Sequence, residues 1–234
     1  MTSDLKLHWI KEQDQMRSQI IQTDISPPIK WDYVAGVDIS FEKTNPNRIC
    51  AYITIMKDHL IVYEDYLIET ISIPYESGFL GFREVPFYLS LFERLKTNAP
   101  QYWPDVVLVD GFGILHHRGV GSASHLGVKL NLPTIGVAKT LLALDGLSES
   151  KIKNDFRLKC HKKGDYLELI GQFGQIYGVA FKSTDQTLNP IYVSVGHKLS
   201  LQTAQNIVKQ YCQYRIPEPI RNSDIKSKLH WGNP

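Results

Sequence analysis

Between Asp105 and Lys139 the chain reads DVVLVDGFGILHHRGVGSASHLGVKLNLPTIGVAK, an order of residue types that few folds accommodate. Val106 to Val109 is an apolar run bounded by Pro104 and Gly111, the pattern of a strand buried on both faces. The run ends on Asp110. Burying an unpaired carboxylate is costly, so Asp110 is solvated, hydrogen-bonded or holding a metal. Glycines at 111, 113, 119 and 121 then allow the backbone to approach another group closely. Ala123 to Leu130 has helical spacing, and Thr134 to Val137 reads as a second buried strand. Strand, glycine-rich loop, helix and strand together gather polar groups at strand carboxyl ends, where open α/β sheets bind ligands.

The remaining chain is read outward from that edge. Its 234 residues, 43% of them hydrophobic, can bury a sizeable core, and a single domain spanning 1–234 is expected. A net charge of +2 identifies no polyanionic partner by itself. Cys50, Cys160 and Cys212 lie far apart without zinc-ligand spacing, so reduced, partly buried thiols are expected. The first residues lack the basic start and apolar core of a secretion signal, and no apolar run approaches membrane length. The expectation is an intracellular protein, cytoplasmic with the nucleus also compatible, without a membrane and without an obligate protein partner.

Leu5, Trp9, Met16 and Ile20 recur at helical spacing and predict an amphipathic packing helix over about 3–22, stopped by Ser26-Pro27-Pro28. Tyr33 to Phe41 predicts a strand carrying Asp38 among apolar neighbours, and Ile49 to Met56 with Leu60 to Tyr66 predicts a hairpin turning at Lys57-Asp58. Pro86 suits the first turn of a helix ending near Leu95, so Glu84 reads as a helix-start cap as readily as a ligand. Tyr75 sits in a rigid Pro74-to-Gly78 turn, where an aromatic ring is packed more often than functional. Asp145 to Gly164, with Lys151, Lys153, Arg157, Lys159, Lys162 and Lys163, reads as a less regular, solvated surface excursion ahead of a phosphate-binding rim. Tyr166 to Ile170 and Gln175 to Phe181 predict a hairpin, Ile191 to Val195 a strand, and Ser200 the start of a helix to about Tyr214. Asp224 reads as a surface aspartate.

Three antiparallel strands, then helix, strand, helix and strand, with acidic residues at 38, 84 and 110, resemble the ribonuclease H-like fold: a mixed α/β sheet flanked by helices. The likeness narrows at VAGVDISF (34–41), PY..GFL.FRE (74–84), Val109-Asp110-Gly111 through Ala123-Ser124-His125-Leu126-Gly127, and Gly136-Val137-Ala138-Lys139. Together with the closing RIPEPIRNSD, these resemble the endonuclease V family across roughly 34–224. That family cleaves nucleic acid at the second phosphodiester bond 3′ to inosine.

The resemblance implies Asp38, Glu84 and Asp110 as ligands of Mg²⁺, for which Mn²⁺ substitutes, with Asp224 where the family places a further acidic or histidine ligand. Hard oxygen donors suit such a cation, which neutralises phosphate charge and generates hydroxide from water. Lys139, otherwise readable as a surface lysine, is implied to hold the scissile phosphate or polarise the attacking water. Tyr75 matches the family's base wedge, and Leu80, Gly111, Gly121, Ser122 and Gly136 match its base pocket. Hypoxanthine carries an N1–H donor and an O6 acceptor, the reverse of adenine, which backbone groups can read. Neighbouring side chains of His116-His117 point apart, so phosphate contact or loop packing is expected of them and of Arg118, ahead of metal binding. His125 and His197 are expected to serve loop or core hydrogen bonding.

Phe112 stands where bacterial relatives often carry histidine, and LHHRG (115–119) resembles eukaryotic members, which commonly favour inosine in RNA. RNA is therefore the favoured partner, with DNA as the other. Two alternatives remain beside an inosine-directed endonuclease: another ribonuclease H-like nuclease, such as a structure-specific resolvase, and an inosine-binding module that does not cut.

Overall fold

The structure is a computed structural model that describes residues 3–25 and 30–231, so the stop expected at Ser26-Pro27-Pro28 lies outside the described residues. One mixed sheet organises the chain: β1 (Val34–Phe41), β2 (Arg48–Lys57), β3 (Leu60–Thr70), β4 (Val106–Asp110), β5 (Thr134–Ala138), β6 (Tyr166–Ile170), β7 (Ile176–Phe181) and β8 (Ile191–His197). Their order across the sheet is β3-β2-β1-β4-β5-β8-β7-β6. The first three strands pair antiparallel, β1-β4-β5 run parallel, and β5-β8-β7-β6 are antiparallel again. This is the mixed ribonuclease H-like sheet that the strand pattern predicts. The β2-β3 turn falls one residue later than expected, at Asp58-His59, whose φ values of 49° and 63° suit a two-residue hairpin turn.

Six helices flank the sheet: α1 (Ser3–Arg17), α2 (Leu80–Asn98), α3 (Ser122–Leu130), α4 (Glu149–Lys159), α5 (Leu201–Tyr211) and α6 (Glu218–Leu229). Strand alternation sends Ala35, Val37, Val107 and Val109 to the face covered by Val85, Tyr88 and Leu91 of α2, and by α3. Val34, Val106, Leu108, Ile135 and Val137 pack on the other face against α5 and Ile220 of α6. Each fully buried aliphatic side chain contributes about 1.5–3 kcal/mol. The three thiols are free and buried, as expected. Among the described residues no helix is long and apolar enough to cross a membrane.

Four local expectations change. Helix α1 ends at Arg17 rather than near 22, because the chain leaves to bond the end of β8: Ile21 N–H donates to His197 Nδ1 (3.3 Å) and Lys198 N–H to the Ile21 carbonyl (2.7 Å). Helix α2 begins at Leu80, so Glu84 and Pro86 lie inside it and Glu84 is no helix-start cap. Pro86 occupies the exposed side of α2, removing the amide that would bond the Phe82 carbonyl. The basic segment 145–164 contains a regular helix, α4, anchored by buried Phe156. Finally, the closing segment folds as α6, which the sequence reading leaves without an element.

Helix α6 can lie on β1 because Gly36 has no side chain. A Cβ there would stand 2.1 Å from the Pro219 carbonyl carbon. Ser223 Oγ fixes the contact by donating to the Gly36 carbonyl at 2.9 Å and lies 3.0 Å from Thr54 Oγ1.

Candidate active site

The acidic group is assembled by sheet register. Strands β1 and β4 are parallel with Val37 beside Val109, so Asp38 and Asp110 follow as neighbours with side chains of the same alternation. Both belong to the set facing α6, and α6 brings Asp224 to them. Asp38, Asp110, Asp224 and Lys139 line a single cleft of about 580 Å³. Glu84 reaches the group from α2 across the sheet edge.

The electrostatics record how close these groups are. Burial above all, then Asp110 and Asp224, push the Asp38 carboxyl well above its usual range, with Glu84 adding and Lys139 opposing. Burial, then Asp110, push Glu84 up to about 8 against the pull of Arg83. Burial pulls the Lys139 ammonium down, but Asp110, Asp224 and Asp38 outweigh it and hold it above its ordinary value. Its Nζ donates to Asp110 Oδ2 at 2.6 Å. Among the described residues no three His, Cys, Asp or Glu side chains already form a closed ligand set. Asp110 is turned to Lys139, and Asp224 to Lys228 at 2.5 Å.

The residues nonetheless fit a hard divalent cation. Glu84 Oε2 is buried without a hydrogen-bond partner, and neighbouring carboxylates add to the burial that raises the proton affinity of Asp38 and Glu84, a repulsion a cation would relieve. Asp38 and Glu84 are each only 7% exposed.

A second cavity, of about 410 Å³, adjoins the first and shares Asp110 and Lys139 with it. Tyr75, Leu80, Gly111, Gly121 and Ser122 line it. Gly136 does not: it lies beneath the 111–113 loop, where a Cβ would meet Gly113 N at 2.3 Å. Phe112 and His116 line the cavity as well; neither is among the expected pocket residues. The amides of Gly111 and Gly121 are already bonded to the Val137 and Gly113 carbonyls. Leu80 and Ser122 are instead the first residues of α2 and α3, whose N-caps make no side-chain cap hydrogen bond. First-turn amides there have no acceptor within their own helix. The pocket thus lies between two helix N-termini.

Helix α1 braces this pocket from outside. Gln13 Nε2 donates to the Gly78 (3.0 Å) and Val120 (3.1 Å) carbonyls, and Lys6 pairs with Glu76 at 2.6 Å. Trp9 stacks on Phe82 with ring centroids 4.8 Å apart. Tyr75, in the same turn, is 67% exposed.

Two of the three expected phosphate contacts are used internally. Arg118 lies over the Phe79 ring, bonds Gln13 through Nε and donates from Nη2 to the Gly78 carbonyl at 2.7 Å. His116 is buried and its imidazole is pushed down to about 4, chiefly by burial and then by Arg118, so it packs as a neutral ring. His117 remains exposed. His197 Nδ1 accepts a hydrogen bond from Ile21 N–H, as expected, whereas His125 packs edge-on against Phe82 at 4.8 Å.

Sequence reasoning missed Gln13, Gly36 and Ser223. A glycine amid the apolar residues of β1 was the available signal for Gly36, since it marks close backbone approach. Gln13 had none, for it reads as one more polar residue on a helix.

Carboxylates from adjacent parallel strands, a glutamate from a covering helix and a lysine at the same edge of a ribonuclease H-like sheet define a class, the α/β nucleases. Comparison with known proteins makes the class specific. The sequence profile of the family described as Endonuclease V matches residues 14–225. Human Endonuclease V is 40% identical over 233 residues, covering 95% of this chain and 82% of that protein. The crystal structure of the human catalytic domain superposes with a TM-score of 0.95 at 38% identity, covering 98% of this chain and 97% of the other. Ciona intestinalis Endonuclease V, solved with a 23mer DNA containing an inosine followed by a ribo-adenosine, superposes at 0.94 with 33% identity, covering 99% and 98%. This chain belongs to the Endonuclease V family and is an endonuclease.

Proposed function

We propose that the chain is a divalent-metal-dependent endonuclease that recognises inosine in single-stranded RNA, and deoxyinosine in DNA. It hydrolyses the second phosphodiester bond 3′ to that base, leaving 5′-phosphate and 3′-hydroxyl ends. The observation that carries this reading is the sharing of Asp110 and Lys139 between the acidic cleft and the glycine-lined pocket. A base held in the pocket presents its 3′ strand to the cleft. The inosine-containing DNA in the Ciona complex supports the choice of base.

Asp38, Glu84 and Asp110 hold Mg²⁺ or Mn²⁺ in this reading, with Asp224 beside them. Once bound, the cation supplies charge neutralisation on the phosphate and activation of water. Lys139 contributes an ammonium that stays charged at neutral pH and positions the scissile phosphate or the attacking water. In the pocket, the first-turn amides at Leu80 and Ser122 donate to O6 of hypoxanthine, and a loop carbonyl accepts from N1–H. Adenine offers the opposite pattern on that edge and leaves both partners unpaired. The base leaves its stack at a cost of a few kcal/mol, and Tyr75 fills the gap by stacking. Such work places the protein inside the cell, in the cytoplasm, with the nucleus also compatible.

The test is cleavage of 5′- and 3′-labelled RNA and DNA strands carrying one inosine or adenosine, with Mg²⁺ or EDTA. The expected outcome is one cut, after the nucleotide 3′ to inosine, in Mg²⁺ only and faster on RNA. Equal inactivity on both inosine strands with metal present would remove the proposal. Tyr75→Ala is expected to weaken inosine-strand binding by about tenfold, from lost stacking.

A further inference from the structure

A third cavity, of about 320 Å³, shares the buried His116 wall with the base pocket and no lining residue with the acidic cleft. Shared walls therefore link the three in the order acidic cleft, base pocket, outer cavity. Arg17, Gln22, His117, Gln175 and Tyr177 line the outer one. That set offers cationic, amide and aromatic groups to a phosphodiester strand. Arg17 pairs with Asp14 at 3.4 Å in an exposed contact, weak enough to yield to a phosphate. His117 is exposed, while its neighbours His116 and Arg118 are tied to the loop. Tyr177 OH donates to Asp145 Oδ2 at 3.2 Å, which holds the ring in place at the cavity.

We propose that this outer cavity is a subsite for the nucleotides 5′ of the recognised base, with Arg17 and His117 contacting their phosphates and Tyr177 stacking. The polarity rests on the proposed function: if the strand 3′ of the base enters the acidic cleft past Asp110 and Lys139, the 5′ strand leaves the pocket by another wall, and His116 is the wall shared with the outer cavity. The groups involved come from the end of α1, the 111–121 loop and the β6-β7 hairpin, so the subsite exists only in the folded chain.

The test measures fluorescence anisotropy of 3′-labelled single-stranded RNA in EDTA, with intact strands verified on a gel. One set places inosine after one or six 5′ nucleotides with a fixed 3′ flank; the mirrored set varies the 3′ flank. The quantity read is the affinity ratio of long to short strand within each protein. In the unmodified protein the 5′ extension is expected to tighten binding by about tenfold, from phosphate and stacking contacts. In the Arg17→Ser/His117→Ala double variant, both positions being at the surface, that ratio is expected to fall to about twofold, with the 3′ ratio unchanged. A wild-type 5′ ratio near one, an undiminished 5′ ratio in the variant, or a loss confined to the 3′ set each overturns the proposal. The inosine-to-adenosine ratio at fixed length reads the base assignment separately, so failure of that assignment is distinguishable from failure of the subsite.

Discussion

The acidic cleft and the base pocket adjoin, yet they are built by opposite means. Asp38 and Asp110 are fixed by backbone register in the centre of the sheet, and Glu84 and Asp224 by helices packed on its two faces. The pocket is built from loop and helix-start backbone, held from outside by Gln13, Trp9 and Arg118. The groups that bear close like charge thus sit at the buried centre of the sheet and on helices packed against it. The groups proposed to admit a base sit on loops and helix starts stabilised by a handful of hydrogen bonds. Damage to the first region should abolish chemistry, whereas damage to the second should weaken engagement.

The largest expected effect breaks the cleft alone. Asp38→Ala or Asp110→Ala should lower the single-turnover cleavage rate by about 10³-fold, several kcal/mol of transition-state stabilisation, while inosine-strand binding is retained. A parallel loss of binding would mean the two regions are not separable. Next, Gly36→Val should destabilise the fold by about 3 kcal/mol, since its side chain meets the backbone of α6. Urea unfolding checks this, and wild-type stability would show that α6 is not held at that contact.

A smaller effect concerns acid and the pocket half. Burial first, then Lys129, push His125 down to about 4, and His116 and His197 are likewise pushed down to about 4, chiefly by burial. Such a ring is neutral when folded, while the unfolded chain binds a proton below about 6.5. The stability it contributes is full above that value and is lost as pH falls towards 4. His125→Gln should reduce the acid slope of the unfolding free energy between pH 6.5 and 4.5 by up to about 1.4 kcal/mol per pH unit. An unchanged slope would show that His125 takes no part. The smallest effect belongs to the brace. Gln13→Ala removes three hydrogen bonds to the pocket loops, two to carbonyls and one from Arg118 Nε, and should raise KM about fivefold with kcat nearly unchanged. A kcat loss instead would tie the brace to chemistry and weaken the contrast between the regions.

Much of this architecture was legible from residues alone. The apolar runs of β1, β4 and β5 named their own strands, and the Asp110-to-Gly121 loop announced a ligand edge. Other features were not, for identifiable reasons. Glu84 looked like a cap because Pro86 suits a first turn, yet α2 starts at Leu80, next to Phe79 packed on Trp9, and Glu84 lies buried within the helix. Gly136 looked like a pocket residue but supports the loop from below. Arg118 looked free for phosphate until its partners Gln13 and Gly78, distant in sequence, were brought to it.

The order of residue types determined the strand sequence, the acidic positions and the family, because hydrophobic alternation and glycine placement are local properties. Tertiary structure alone decided which carboxylates share a cleft, which cations remain unspent and which cavities share walls. Those outcomes depend on sheet register and on side chains meeting across many residues, and no stretch of chain encodes such distances by itself.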